Sequence, residues 1–174
     1  EGFGGGPSWS QLLPNGSTDV DVLVVNGNLY AGSQGNIYQI AVATGALLAR
    51  QQVTSTNPGI VRLASDGTSL YAGTGGQIGK ALLTGIANGM TWTEALPDAG
   101  NNRVNVLWVQ GLDLLIAGSG GYAYLINPAD GLAKHQTMPL QGETEELRLA
   151  TNTVDSLFVG TWGYAFAIDL WEVR

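Results

Sequence analysis

The sequence lacks cysteine and is poor in positive charge, and each shortage removes classes of function. Without cysteine the chain can form no disulfide, no thiolate metal site and no cysteine nucleophile. Only 7 residues are Lys or Arg, against 14 Asp or Glu, and the net charge is −7. Binding of nucleic acid or of anionic membrane surfaces needs clustered basic residues, and no such run is present. We therefore expect no nucleic-acid partner.

Long apolar runs are missing as well. No stretch of 18 apolar residues occurs, so we expect no membrane insertion. Hydrophobic residues still make up 44% of the 174 residues, which is enough for a folded single domain with a core. Charged residues make up only 12%, so most surface polarity must come from neutral side chains. This composition indicates an extracellular or cell-surface location.

What the sequence does contain is a fourfold repeat. An apolar pair, a small residue, glycine and a hydroxyl residue recur as LYAGS at 29–33, LYAGT at 70–74, LIAGS at 115–119 and LFVGT at 157–161. The copies are 41, 45 and 42 residues apart, which is the length of one four-stranded propeller blade. Short apolar segments and turns rich in Gly, Asn and Asp surround each copy, as is typical of β-hairpins.

These patterns predict one all-β domain over residues 1–174. We expect a four-bladed β-propeller in which each blade is a four-stranded antiparallel sheet. Units one and three resemble each other, as do units two and four, which indicates a duplicated two-blade half. The expected blades cover about 17–58, 59–99, 100–141 and 142–174, the last one together with a strand at 7–14.

The strand at 7–14 is expected to close the ring. The fourth unit ends soon after its third strand, AFAIDL at 165–170, and has no fourth strand of its own. The segment SWSQLLP at 8–14 resembles TWTEALP at 91–97, which is the fourth strand of unit two. We predict that the N-terminal strand completes the last blade, because a closed ring leaves no long sheet edge unpaired. A part of a larger propeller, or two chains that form an eight-bladed ring, would give the same sequence signals.

Several of these segments resemble the BNR/Asp-box and PQQ-like propeller superfamily. The similarity is carried by SLYAGTGG at 69–76, GMTW at 89–92 and VATGALLA at 42–49. Gly85 and Ala87 stand where the Ser and Asp of an Asp-box would fall, so that motif is degenerate. The resemblance implies a β-propeller. It does not imply one activity, because such folds include lectins, hydrolases, sensors and assembly scaffolds.

The first strands carry a candidate polar array near the ring axis. Asp21 and Asn105 are aligned in units one and three, and Arg62 and Arg148 fall one place further along in units two and four. If these side chains face the axis, two guanidinium groups could hold an anion or a small polar ligand in a central channel. The alternative, which we favour, is a structural network that links neighbouring blades.

Aromatic residues form a second candidate site, at the tips between second and third strands. Trp162 and Tyr164 lie at the tip of unit four, and Tyr122 lies at that of unit three. Exposed aromatics could stack on sugars or contact a protein partner. The alternative is packing between adjacent blades.

No set of residues indicates catalysis, a metal site or a cofactor, and His135 is the only histidine. The interpretation we favour is therefore a non-catalytic binding or structural propeller that acts through protein–protein contacts or self-association, for instance in a surface assembly. A carbohydrate-binding lectin that uses the tip aromatics is the alternative. A glycoside hydrolase or lyase, with Arg62 and Arg148 on the axis, is a second alternative.

Overall fold

Four antiparallel β-sheets follow one another along the chain, each made of consecutive strands. The structure, a computed structural model, describes residues 7–16, 19–53, 59–137, 139–140, 147–151, 155–161 and 163–170. Blade 1 contains β1 (Asp21–Val25), β2 (Asn28–Ser33), β3 (Asn36–Ile40) and β4 (Leu47–Gln52). Blade 2 contains β5 (Arg62–Ser65), β6 (Ser69–Thr74), β7 (Gln77–Leu82) and β8 (Trp92–Ala95), with a 3₁₀ helix at Leu83–Asn88 before β8.

The last two sheets differ in strand number. Blade 3 contains β9 (Asn105–Val109), β10 (Leu114–Ser119), β11 (Tyr122–Ile126) and β12 (Ala133–Gln136). Blade 4 contains β13 (Arg148–Thr151), β14 (Ser156–Thr161) and β15 (Tyr164–Asp169). The all-β architecture and the four-stranded antiparallel sheet are thus confirmed for three blades, whereas the described part of blade 4 has three strands. No helix in the described residues has the length and apolar character of a membrane span.

Tight turns with left-handed backbone join the second and third strands. The β6–β7 turn consists of Gly75 and Gly76, with φ of 50° and 75°, and the β10–β11 turn of Gly120 and Gly121, with φ of 60° and 86°. Positive φ at both central residues is the type I′ geometry that matches the twist of a hairpin. Paired glycines adopt this geometry without steric strain, so the sequence determines the conformation of these two turns.

The repeat glycine allows each blade to approach the next. A Cβ built on this glycine would lie within about 3 Å of the residue that precedes the first strand of the following blade, closer than non-bonded carbon contacts allow. The three contacts are Gly32 to the Val61 carbonyl oxygen at 2.7 Å, Gly73 to the Val104 carbonyl oxygen at 2.6 Å, and Gly118 to Leu147 Cβ at 3.0 Å.

Apolar clusters fill the spaces between successive blades. Two residues before each of these glycines, the side chains of Tyr30, Tyr71 and Ile116 are at most 2% exposed. Tyr30 packs with Val61 between blades 1 and 2, and Tyr71 packs with Val104 between blades 2 and 3. The core of the molecule therefore consists of successive layers between sheets rather than one central cluster.

The two ends of this stack are open in the described part of the chain. On blade 4, Phe158 occupies the position of Tyr30 and Tyr71, and it is 45% exposed. On blade 1, Val20 occupies the position of Val61, and it is 48% exposed, whereas Val61 is fully buried. Ring closure is therefore not shown, because neither outer face is covered by the other.

Residues 7–16 lie against blade 1 and form no strand in the structure. Trp9 Nε1 donates to the Val42 carbonyl at 2.9 Å, just as Trp92 Nε1 in β8 donates to the Pro128 carbonyl of blade 3 at 3.2 Å. The prediction that this segment supplies a fourth strand to blade 4 is not met in the described residues, because no pairing joins it to β15. It packs on the blade that follows it in sequence, as β8 packs on blade 3.

The N-terminal segment and β8 are anchored by the same set of contacts. The Tyr38 hydroxyl donates to the Pro14 carbonyl, and the Tyr124 hydroxyl donates to the Pro97 carbonyl. The leucines that precede these two prolines are buried against the sheet: Leu13 and Leu96. This repeated anchoring accounts for the shared Trp, Leu and Pro spacing of the two segments.

Candidate functional site

The four residues of the proposed axial array occupy one structural position. Each is paired across the sheet with the repeat glycine of its own blade: Asp21 with Gly32, Arg62 with Gly73, Asn105 with Gly118, and Arg148 with Gly160. The expectation that the arginines lie one place further along was wrong. Asp21 and Arg62 both lie 11 residues before the repeat glycine of their blade, and Arg148 lies 12 and Asn105 lies 13 residues before theirs. The start of each apolar segment therefore does not mark the residue that pairs with the glycine.

Asp21 connects blade 1 to blade 2. Its Oδ2 accepts a hydrogen bond from the Leu63 amide at 2.8 Å, and its Oδ1 lies 4.0 Å from Arg62 Nη1. An ion pair this long and partly exposed contributes roughly 0–1 kcal/mol. The amide contact is therefore the stronger link, and it belongs to the junction between the blades.

Asn105 plays the corresponding part between blades 3 and 4. It is 8% exposed, and its Nδ2 donates to the Leu147 carbonyl, directly before Arg148. Arg148 itself is exposed on β13. The structure thus brings Asp21 together with Arg62 and links Asn105 to the start of blade 4, and the hydrogen bonds that Asp21 and Asn105 form here run between blades.

The predicted tip aromatics have different surroundings. Tyr122 is half-buried, and its ring centroid lies 6.1 Å from that of Tyr124 in the same strand. Tyr164 is 50% exposed and stacks on Phe166 with a centroid distance of 6.1 Å. Trp162 lies outside the described residues. Of the two described tip residues, Tyr164 presents the larger apolar surface.

Sequence reasoning missed the most unusual exposed side chain, Phe158. It lies in the middle of β14, paired with Ala150 of β13 and Ala167 of β15. A large aromatic flanked by alanines on an uncovered sheet face is typical of an interaction surface. The repeat shows that Phe158 is equivalent to Tyr30 and Tyr71, but the predicted ring closure implied that all of these positions would be buried.

The front face of blade 1, opposite blade 2, is also apolar, and in the described residues its part along β1 is uncovered. Val20, Val22 and Val24 alternate along one side of β1 and its approach, and they are 48%, 63% and 64% exposed. Alternate residues of a strand share one face, so the three valines form one patch. Leu63 holds the position of Val22 in blade 2 and is 9% exposed, because blade 1 covers it.

An apolar cleft between blades 3 and 4 is too small to define a ligand site. Ile116 and Leu125 line it from blade 3, together with His135, and Leu157 and Ile168 line it from blade 4. Its volume is about 80 Å³, well below the roughly 300–1,000 Å³ of small-molecule pockets.

The stacked sheets define a propeller-like fold. No protein-family model matches the sequence, and no curated protein matches it. Among solved structures, the chain is similar to one in "Crystal Structure of Mitotic Checkpoint Complex", with a TM-score of 0.67 and 14% identity over 88% of this chain and 49% of that chain. The likeness is one of fold alone, and this chain spans about half the length of the matched one. No family model supports the finer resemblance to BNR/Asp-box and PQQ-like repeats.

Proposed function

We propose that the chain is a non-catalytic interaction module whose protein partner covers the open face of blade 4. The observation that carries this proposal is the exposure of Phe158 at a repeat position that is otherwise a core position. Phe158 is 45% exposed, whereas Tyr30 and Tyr71 are about 1% exposed or less. The same surface in the other blades is the place where a neighbouring sheet docks.

Burial of Phe158 would contribute favourable free energy to such a contact. Transfer of one large apolar side chain out of water is worth about 1.5–3 kcal/mol, and Phe158 is the large apolar side chain exposed on this face. Aromatic anchors of this kind dominate many protein interfaces. The matched solved structure is titled as a protein complex, which agrees with an interaction role by analogy only.

A photo-crosslinking experiment tests this proposal. A benzophenone amino acid replaces Phe158 in one preparation and Leu132 in the other. Leu132 is a matched control because it is 56% exposed in a turn of blade 3, away from the blade 4 face. After irradiation in an extract of cells that produce the chain, we expect protein adducts at position 158 and not at position 132. Equal labelling at both positions, or no protein adduct at 158, would overturn the proposal.

A further inference from the structure

We infer that the open face of blade 4 receives blade 1 of a second copy of this chain, so that two copies form one ring of eight blades. This inference rests on the proposed function and names its partner. It concerns two surfaces: the notch, which is the space above Gly160 on blade 4, and the knob, which is Val20 on blade 1.

The notch and the knob are the two unmatched halves of a junction that the chain builds three times. At each internal junction an aliphatic side chain occupies the space above a repeat glycine, as Val61 does at Gly32 and Val104 does at Gly73. At Gly160, a Cβ would meet Arg148 Cβ of its own blade at 3.7 Å and no other described residue within 4 Å. Val20 stands at the position of Val61 with nothing over it in the described residues. Val20 of one copy could therefore occupy the space above Gly160 of the other copy.

The polar groups at the two ends are complementary as well. Within the chain, the carboxylate of Asp21 faces the Arg62 guanidinium across the junction between blades 1 and 2. On blade 4, Arg148 holds the same register position as Asp21 and Arg62. Docking would place Arg148 of one copy beside Asp21 of the other. The new junction would then again join a carboxylate and a guanidinium.

The position of the N-terminal segment fits the same arrangement. Trp9 and Leu13 already cover the outer part of the front face of blade 1, as Trp92 of β8 and Leu96, which follows β8, cover that of blade 3. In blade 2, β7 is paired with β8. A second copy docked through blade 4 would place its β15 next to the N-terminal segment, which would then add a fourth strand to the three described in that blade.

The contact is head-to-tail, because the surfaces that meet are different ones. Such interfaces form rings only if the rotation closes. The four blades superpose on 49% of a matched chain, with a TM-score of 0.67, so their spacing is compatible with half of a larger ring. We therefore expect closure at two copies.

Light scattering on the full chain measures the first consequence. The expected mass is twice 18.1 kDa. Val20→Asp should give the monomer mass because it puts a charge on the knob, and Gly160→Val should do so because it fills the notch. Leu132→Asp, on an exposed turn outside both surfaces, should leave the dimer intact. A monomer in the unmodified chain, a ladder of masses that grows with concentration, or a dimer insensitive to both changes would overturn the inference.

Mixing the two variants distinguishes a head-to-tail contact from a symmetric one. Val20→Asp chains keep an intact notch, and Gly160→Val chains keep an intact knob. A mixture should therefore restore a dimer that contains one copy of each, detected by native mass spectrometry with one variant carrying a mass tag. Failure of the mixture to associate, while the unmodified chain forms a dimer, would overturn the head-to-tail geometry.

Engineered thiols separate two copies from one self-closed chain. The sequence has no cysteine, so Asp21→Cys with Arg148→Cys introduces the only two thiols and leaves Val20 and Gly160 unchanged. Within the chain, Asp21 and Arg62 face each other across the corresponding junction, with 4.0 Å between Oδ1 and Nη1. After reaction with a short bis-maleimide, we expect a covalent dimer on a denaturing gel. A fast-migrating monomer would show closure within one chain and overturn the inference. Adducts to another protein at position 158, in a chain that stays monomeric, would overturn it and leave the proposed function standing.

Discussion

At the scale of single residues, Asp66 holds the turn between β5 and β6. Its carboxylate accepts hydrogen bonds from the Thr68 amide at 2.7 Å, the Ser69 amide at 2.6 Å and the Tyr71 hydroxyl at 2.8 Å. Burial alone would raise the pKa of Asp66, but these hydrogen bonds outweigh it, and the pKa lies below its ordinary value of 3.8. Burial, followed by the bond to Asp66, raises the pKa of Tyr71, which remains a hydrogen-bond donor at neutral pH.

This network makes a pH-dependent contribution to stability. Because the folded pKa of Asp66 is depressed, the ionised carboxylate stabilises the fold fully above the unfolded value of 3.8, and the contribution is lost as pH falls through the folded pKa. Asp66→Asn should lower the free energy of unfolding by about 1–3 kcal/mol at pH 7. The difference between the two proteins should shrink below pH 3.8 in urea titrations. A difference that is the same at pH 7 and well below that value would contradict this assignment.

A glycine beneath an indole ring gives a second prediction at this scale. Gly131 has a φ of 83°, and a Cβ on it would lie 2.6 Å from the Trp92 ring. Gly131→Ala should therefore combine backbone strain of about 1–2 kcal/mol with displacement of the indole.

The control for this prediction is Gly111→Ala. Gly111 has a φ of 90° and no atom within 4 Å of a Cβ, so only the backbone strain should appear. Thermal or urea unfolding should show a loss at least 1 kcal/mol larger for Gly131→Ala. Equal losses of stability would mean that the Trp92 indole does not pack tightly against Gly131.

At the scale of elements, the N-terminal segment stabilises blade 1. Deletion of residues 1–14 removes the Trp9 hydrogen bond to Val42 and uncovers Tyr38 and Ile40. We expect hydrogen exchange to accelerate first in β3 and β4. Measurements should be made on the monomeric Gly160→Val background, so that contacts between copies do not enter. Loss of protection in β15 with β3 unchanged would instead favour a fourth strand in blade 4 of the same chain.

The sequence was sufficient for elements whose determinants are local. The glycine pairs at the tips and the repeat glycine select turn geometry and blade spacing by sterics within a few residues, so the strands could be located from the repeat. The shared spacing around Trp9 and Trp92 correctly indicated two equivalent segments. The blade that receives Trp9 depends on contacts distant in sequence, and the strand pairing predicted for this segment is not shown in the described residues. The register of Arg62 and Arg148 was also predicted incorrectly, because the start of the apolar segment does not mark the residue that pairs with the repeat glycine.

At the scale of the whole molecule, closure depends on the sum of small rotations between blades, which no single residue encodes. Each internal junction repeats the same knob and notch, so the chemistry of a junction is readable from the sequence. The number of blades in the ring cannot be read from the sequence, because the same repeat glycine is compatible with any number of blades. The exposures of Val20 and Phe158 are therefore the observations that distinguish an open arc from a closed one.

Valine-to-alanine changes at the equivalent position in three blades measure whether another blade covers that position. Val61 and Val104 are fully buried and Val20 is 48% exposed, although all three occupy the same repeat position. On the Gly160→Val background, Val61→Ala and Val104→Ala should each lower the free energy of unfolding by about 2 kcal/mol, because each leaves a cavity between blades. Val20→Ala should change it by less than about 0.5 kcal/mol, as a surface substitution does.

The background variant matters for the interpretation of this series, because it keeps the chain monomeric. In the unmodified dimer, Val20 would be covered by the second copy, and its truncation should approach the effect of the internal ones at concentrations where the dimer persists. The effect of Val20→Ala should therefore grow with protein concentration in the unmodified chain and stay flat in the Gly160→Val chain. An equally large effect of Val20→Ala in both backgrounds would mean that blade 4 of the same chain already covers blade 1.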